Sequence, residues 1–124
     1  MAWELNNDRP IYTQIVENVM FRIVSGFYPP GEKLPSVREL AAEAGVNPNT
    51  MQKAFAELEK GGLITTIRTS GRVVTEEEAL IKEAKEAIAK SEVLQFLEKM
   101  SRLGIDAKQA SEFVEKVSKE GLGE

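Results

Sequence analysis

Residues 31–72 read GEKLPSVRELAAEAGVNPNTMQKAFAELEKGGLITTIRTSGR, and the spacing of caps, apolar positions and glycines in this stretch decides the fold. Ser36 stands three residues before Glu39. At that spacing a hydroxyl and a carboxylate each satisfy a backbone N–H left unpaired at a helix start. A helix therefore opens near Ser36. Val37, Leu40, Ala41 and Ala44 fall within one arc at about 100° per residue. Arg38 lies off that arc, and Gly45 supplies the left-handed conformation that ends the helix. Asn47 is then a good N-cap, and Pro48 suits the first helical position, where a missing N–H costs nothing. Met51, Phe55 and Leu58 follow at i, i+4 and i+7 and point inward, which leaves Asn49 and Lys53 on the opposite side with Thr50 at the flank. Gly61 and Gly62 stop this second helix. Residues 63–67 and 73–75 flank Arg68, Thr69, Ser70, Gly71 and Arg72 as a two-stranded hairpin with a basic tip. Two short capped helices followed by a hairpin are the elements of a winged helix-turn-helix, in its order.

A major groove about 12 Å wide admits one helix, whose N-terminal side chains reach base edges and phosphates. The second helix has that shape, with a short polar outward face at its N-terminal end, and a basic hairpin tip suits phosphate or minor-groove contact. Taken singly, Asn47, Pro48 and Asn49 are also what a capped and solvated helix carries, and Arg68 and Arg72 also keep a hairpin tip soluble. It is their combination that points to double-stranded DNA. Helix-turn-helix units also serve protein recognition, so an interaction adaptor that does not read sequence is the alternative function.

At this point the residues resemble a known family. PGEKLPSVRELA, then VNPNTMQKAFAELEKGGLI, then RTSGRVV is similar to the DNA-binding domain of the GntR family of bacterial transcription regulators. RPIYTQIVENVMFRIVSGFYPPG resembles that family's first helix, and the short tail resembles the YtrA-type subfamily. The resemblance covers nearly the whole chain. It implies that Arg38, in the motif PSxRxLA, contacts phosphate and base, and that Asn47, Asn49 and Thr50 anchor the recognition helix in the groove. Three positions after that threonine the family commonly has arginine, whereas this chain has Lys53. Lysine cannot make the planar forked contact to guanine, so Lys53 is expected to hold phosphate more than to read a base. The wing glycine matches Gly71, where the missing side chain lets backbone approach DNA, with Arg68 and Arg72 beside it. A second glycine frequent in family wings is replaced here by Thr69 or Ser70.

Upstream, Asp8 is expected to cap a helix with Pro10 near its first position. Ile11, Ile15, Val19 and Ile23 continue that helix as an i, i+4 stripe up to Gly26. Trp3 is open to contact with DNA or a partner subunit, with an apolar anchor against its own domain the stronger reading. Downstream, Thr75 and Glu78 repeat the capping-box spacing, and Glu76, Glu77 and Glu78 sit where a helix start favours negative charge. The helix begun there is expected to reach about Leu103, with Leu80, Ala84, Ala87 and Leu94 on one stripe and Val93, Phe96, Leu97 and Met100 widening it. Gly104 breaks it. Asp106 caps a second helix in which Ala107, Ala110, Val114 and Val117 keep helical spacing, with Phe113 alongside, until Gly121. About fifty residues make a very small core, so these apolar faces are expected to pack against the first domain and against the same hairpin of a second chain. Phe96, Met100 and Phe113 could line an effector pocket; core packing is the stronger reading, because two helices enclose little volume.

Charge sharpens this division. The 124-residue chain carries a net charge of −4. Residues 1–75 hold eight Lys/Arg against eight Asp/Glu, whereas residues 76–124 hold eight against twelve, so all of the acidic excess lies in the tail. Arg38, Lys53, Arg68 and Arg72 are expected to gather on one surface, with Glu57 and Glu59 away from the helix tip. So few cations per chain call for two copies and for steep salt dependence.

The expected architecture is mainly α with a small β-hairpin wing. Residues 1–75 form the winged helix-turn-helix, and residues 76–124 form a C-terminal two-helix hairpin for dimerisation. The expected function is that of a homodimeric, sequence-specific transcription regulator, a repressor, bound to a pseudo-palindromic operator. The family resemblance implies that an effector, a small molecule of unknown identity, acts by changing the spacing of the two reading heads through the tail. No cofactor is expected. Without His or Cys the usual nucleophilic triads, thiol chemistry and zinc sites are excluded, and no phosphate-cradling glycine loop appears. The carboxylate pairs Glu83/Glu86 and Glu112/Glu115 read as solvated helix faces. With neither a leader nor an apolar run near eighteen residues, a cytoplasmic protein without membrane contact is expected.

Overall fold

The computed structural model describes residues 3–68 and 71–122. In these, α1 (Ile11–Val24), α2 (Val37–Ala44) and α3 (Pro48–Lys60) precede a hairpin of β1 (Ile64–Ile67) and β2 (Gly71–Val74). Two helices follow, α4 (Glu78–Arg102) and α5 (Ala107–Val117). The chain divides into two compact units, Met1–Glu86 and Ala87–Glu124.

The caps of α2 and α3 form as their sequence dictates. Ser36 Oγ accepts from the Glu39 N–H while the Glu39 carboxylate accepts from the Ser36 N–H, both at 3.1 Å. Such a cap stabilises a helix by about 1 kcal/mol, which matters for one of only eight residues. Gly45 ends α2 at φ +72°, where a Cβ would be strained. Asn47 Oδ1 then accepts from the Asn49 N–H at 2.8 Å and starts α3.

Between these caps the apolar positions close a core. Ile15, Val19 and Ile23 of α1 meet Leu40 and Ala41 of α2 and Met51, Ala54, Phe55 and Leu58 of α3, all essentially buried. Burial on this scale stabilises by about 1.5–3 kcal/mol for each large side chain. Leu80, Ile81 and Ala84, from the first turns of α4, pack against the same core.

Trp3 is the expected anchor against its own domain. Its indole N–H donates to Glu43 Oε2 at 2.7 Å, and the buried Arg22 guanidinium lies 4.1 Å from its ring centroid. Arg22 also donates to the Tyr28 hydroxyl at 2.7 Å and to Glu43 at 3.2 Å, so α1, α2 and the N-terminal arm meet at one carboxylate.

Three local expectations are corrected. Asp8 does not cap α1: the N-cap position is Pro10, with no side-chain cap. The arm is held instead by buried Gln14, whose amide donates to the Asn6 and Arg9 carbonyls and accepts from the Asn6 N–H. The Asp8 N–H donates to Asn6 Oδ1, which keeps Asp8 in a local turn of the arm. Thr75 does not form a capping box with Glu78 either. Its N–H is committed to the Leu63 carbonyl at 2.9 Å, which continues the hairpin ladder. Its hydroxyl accepts from the Glu77 N–H, and α4 starts only at Glu78.

The third correction concerns the hairpin. Ile64 pairs with Val74, Thr66 with Arg72 and Ile67 with Gly71, so Gly71 and Arg72 belong to β2 and not to the tip. Residues 31–34 run along the other edge of β2, with Gly31 and Leu34 N–H groups donating to the Val74 and Arg72 carbonyls and the Val74 N–H donating to Glu32. Both edges of β2 are therefore satisfied. Thr69 and Ser70, where the replaced second glycine was expected, lie outside the described residues.

In the second unit Gly104, at φ +81°, ends α4, and Asp106 starts α5 through a capping box with Gln109. Among the described residues of this unit Ala110 is the only buried apolar one, while Val93, Leu94, Leu103, Phe113 and Val114 are exposed. Among the described residues no helix is long and apolar enough to cross a membrane.

Candidate nucleic-acid interface

Burying Met51, Phe55 and Leu58 turns the opposite face of α3 outward, and the structure places the expected residues there. Asn47, Asn49 and Lys53 are exposed and Thr50 is half-buried at the flank. Arg38 is exposed on α2, Arg68 is exposed where β1 ends, and Gly71 is exposed at the start of β2. The side chains of Arg38, Asn47, Asn49, Lys53 and Arg68 are thus outside the core that fixes their backbones.

Each of three positions carries a feature that the one-dimensional pattern does not show. Lys53 Nζ lies 3.9 Å from the centroid of the Tyr12 ring, a cation–π contact that joins α3 to α1 and restrains an otherwise loose side chain. Gly71 has φ +85°, and the nearest atom to a Cβ built there is Lys33 Cε at 3.8 Å. Space is therefore available at Gly71, and it is the backbone conformation that demands glycine. Arg72 is half-buried and turned back onto α3. Its Nε donates to Glu59 Oε1 at 2.7 Å, and its guanidinium lies 5.4 Å from the Phe55 ring centroid. Glu59 lies away from the N-terminal tip of α3, as expected, and from the last turn of the helix its carboxylate reaches Thr66 and Arg72 of the hairpin. The Arg72 bond is the main reason that the Glu59 carboxyl is held below its usual range, against the opposing effect of burial.

A shallow groove of about 370 Å³ borders the start of α3, lined by Leu5, Asn6, Asn7, Gly45, Asn47 and Thr50 among others. The N-terminal arm thus adds two asparagines beside the α3 cap. Sequence reading missed Tyr12, Glu59 and this pair. Tyr12 stands one residue from Ile11 on the apolar stripe, and only the packing of α1 on α3 shows what it faces.

Residues 11–74 match the family described as bacterial regulatory proteins, gntR family. The chain belongs to the GntR family. It is similar to the HTH-type transcriptional repressor YtrA of Bacillus subtilis, 35% identical over 92% of this chain and 88% of that protein, which places it in the YtrA-type subfamily. Among solved structures it is similar to a GntR family transcriptional regulator from Listeria monocytogenes, at 42% identity and a TM-score of 0.81 over 90% of this chain and 98% of the other. It is also similar to AraR(DBD) in complex with operator ORX1, at 27% identity and a TM-score of 0.52 over 60% of this chain and 99% of the other. The winged helix-turn-helix of this chain is therefore the DNA-binding unit of a GntR-family transcriptional regulator.

Proposed function

We propose that the protein is a cytoplasmic homodimeric repressor that sets one α3 per subunit into successive major grooves of a pseudo-palindromic operator. The observation that carries this reading is the outward polar face at the N-terminal end of α3, whose backbone is fixed by the Asn47 cap and whose inner side is fully buried. A rigid scaffold with an exposed N-terminal face is what direct readout requires. Operator binding by AraR(DBD) and repression by YtrA, both similar to this chain, support it.

In this reading Asn47, Asn49 and Thr50 meet base edges and phosphates, Arg38 contributes phosphate and base contact from α2, and Lys53 grips phosphate. Arg68 and the backbone at Gly71 approach the duplex from the wing. Residues 1–75 act as the reading head and residues 76–124 join two copies. The exposed apolar residues Val93, Leu94, Phe113 and Val114 favour a second copy as their cover. A small-molecule effector, where one acts, would alter the spacing of the heads.

Titrating the protein onto the DNA upstream of its own gene at two salt concentrations tests the proposal. Site preference with affinity falling steeply as salt rises supports a regulator, and no preference at either salt supports an adaptor. Arg38→Ala should cost about 1–3 kcal/mol of specific binding. Unchanged operator affinity in that variant would place the reading face elsewhere.

A further inference from the structure

We infer that Arg72 is a positioning residue, not a DNA ligand: together with Thr66 it clamps both strands of the wing to one carboxylate, Glu59, and so fixes the wing against the recognition helix. This rests on the DNA-reading function proposed above and assigns Arg72 a different part in it.

The geometry is specific. Thr66 and Arg72 are direct cross-strand partners, one from each strand of the hairpin. The Thr66 hydroxyl donates to Glu59 Oε2 at 2.8 Å, and Arg72 Nε donates to Glu59 Oε1 at 2.7 Å. Each carboxylate oxygen holds one strand. Glu59 lies in the last turn of α3, the helix whose first turn carries Asn49 and Thr50. The same rigid helix therefore sets the recognition face at one end and holds the wing, one residue pair from its turn, at the other. Around this pair the Arg72 side chain is 23% exposed and that of Glu59 31%, and the guanidinium lies near the ring of Phe55, which is fully buried. A partly desolvated, hydrogen-bonded pair is stronger than a fully exposed one.

Electrostatics favours the same assignment. A cation whose charge is already met by a carboxylate releases few counterions on approaching a phosphate, and the Nε donor of Arg72 is committed to Glu59. Arg68, by contrast, is exposed at the end of β1. The two wing arginines thus divide the work: Arg68 meets the duplex, and Arg72 aims the hairpin that carries it.

The full-length protein is compared with Arg68→Ala, Arg72→Ala, Glu59→Gln and the Arg72→Ala/Glu59→Gln double variant. Two quantities are measured, the salt dependence of binding to a selected operator and hydrogen exchange of the wing amides in the absence of DNA. Arg72→Ala and Glu59→Gln should each weaken operator binding on the order of tenfold with the slope of log K against log salt unchanged. The double variant should be no weaker than either single one, as expected for residues acting as a unit. Arg68→Ala should lower that slope by about one. Wing amides should exchange faster in Arg72→Ala and Glu59→Gln and at the wild-type rate in Arg68→Ala. A slope reduced by Arg72→Ala, or tighter binding by Glu59→Gln, would show that Arg72 is a phosphate contact and overturn the clamp. Wing exchange unchanged in both Arg72→Ala and Glu59→Gln would overturn it equally, without reference to DNA. If the wild type itself shows no operator preference, the regulator reading fails, while the exchange rates still decide whether the clamp exists.

Discussion

The two units of this chain solve the same problem in opposite ways. The first, Met1–Glu86, closes a core in which Ile15, Val19, Met51, Ala54 and Phe55 have no exposed surface. The second, Ala87–Glu124, caps α5 well but leaves Leu94 57%, Phe113 47% and Val114 50% exposed. Apolar patterning alone therefore does not say where a side chain is buried. It says that burial is required, and a unit of under forty residues cannot supply it internally.

The largest effect should separate the units by their cores. Phe55→Ala opens a cavity in the first unit and should cost about 3–5 kcal/mol. Trp3, the single tryptophan, belongs to that unit, so its fluorescence during denaturant unfolding reads the loss. A loss under about 1 kcal/mol would mean that this core relaxes around the cavity. In the second unit Phe113→Glu should leave that tryptophan transition in place and weaken self-association by about thirtyfold or more, seen by sedimentation across a concentration series. Unchanged association would remove this face from the interface.

These two units also differ in how much of them the sequence discloses. Caps were legible in both, because a cap depends on residues two or three positions apart: Ser36 with Glu39, Asn47 with Asn49, and Asp106 with Gln109 all form. The buried face of α3 was legible for the same reason of local periodicity. The Thr75–Glu78 spacing misled because a long-range bond to Leu63 holds Thr75 at the exit of the hairpin. Of the set proposed to face DNA, the positions of Asn47, Asn49, Thr50 and Lys53 follow from helix phase alone. The surroundings of Arg72 do not, since its meeting with Glu59 depends on hairpin register and on residues thirteen positions apart. The pairing of residues 31–34 with β2 was hidden likewise, because GEKL carries no alternation.

A smaller effect compares like with like. Ser36→Ala and Asp106→Ala each remove a complete capping box, at a cost of about 1 kcal/mol to the helix concerned. Ser36→Ala should lower the tryptophan-detected transition. Asp106→Ala should leave it alone and speed amide exchange in α5. If both variants move the tryptophan transition equally, the units unfold together and the contrast between them is one of packing only.

The smallest effect is acid sensitivity of the first unit. Glu43 is held below the usual carboxylate range by the Trp3 indole N–H and then by Arg22, and Glu59 chiefly by Arg72, with burial opposing in both. A depressed folded-state pKa means that the unfolded chain binds more protons as pH drops. The stabilisation is present above the unfolded value and is lost as pH falls through the folded one. The thermal midpoint should decline across that acid window, and Glu59→Gln should flatten part of the decline. An equally steep decline in Glu59→Gln would deny the Arg72 pair a share in it.

The central claim is that the outward face of α3 reads a duplex from a fixed scaffold, in two copies. Selection of bound fragments from random double-stranded DNA by the full-length protein tests it most directly. The enriched sequences should contain two inverted half-sites about one helical turn apart, and Arg38→Ala should blur positions within each half. Recovery of fragments without any shared sequence would contradict the claim.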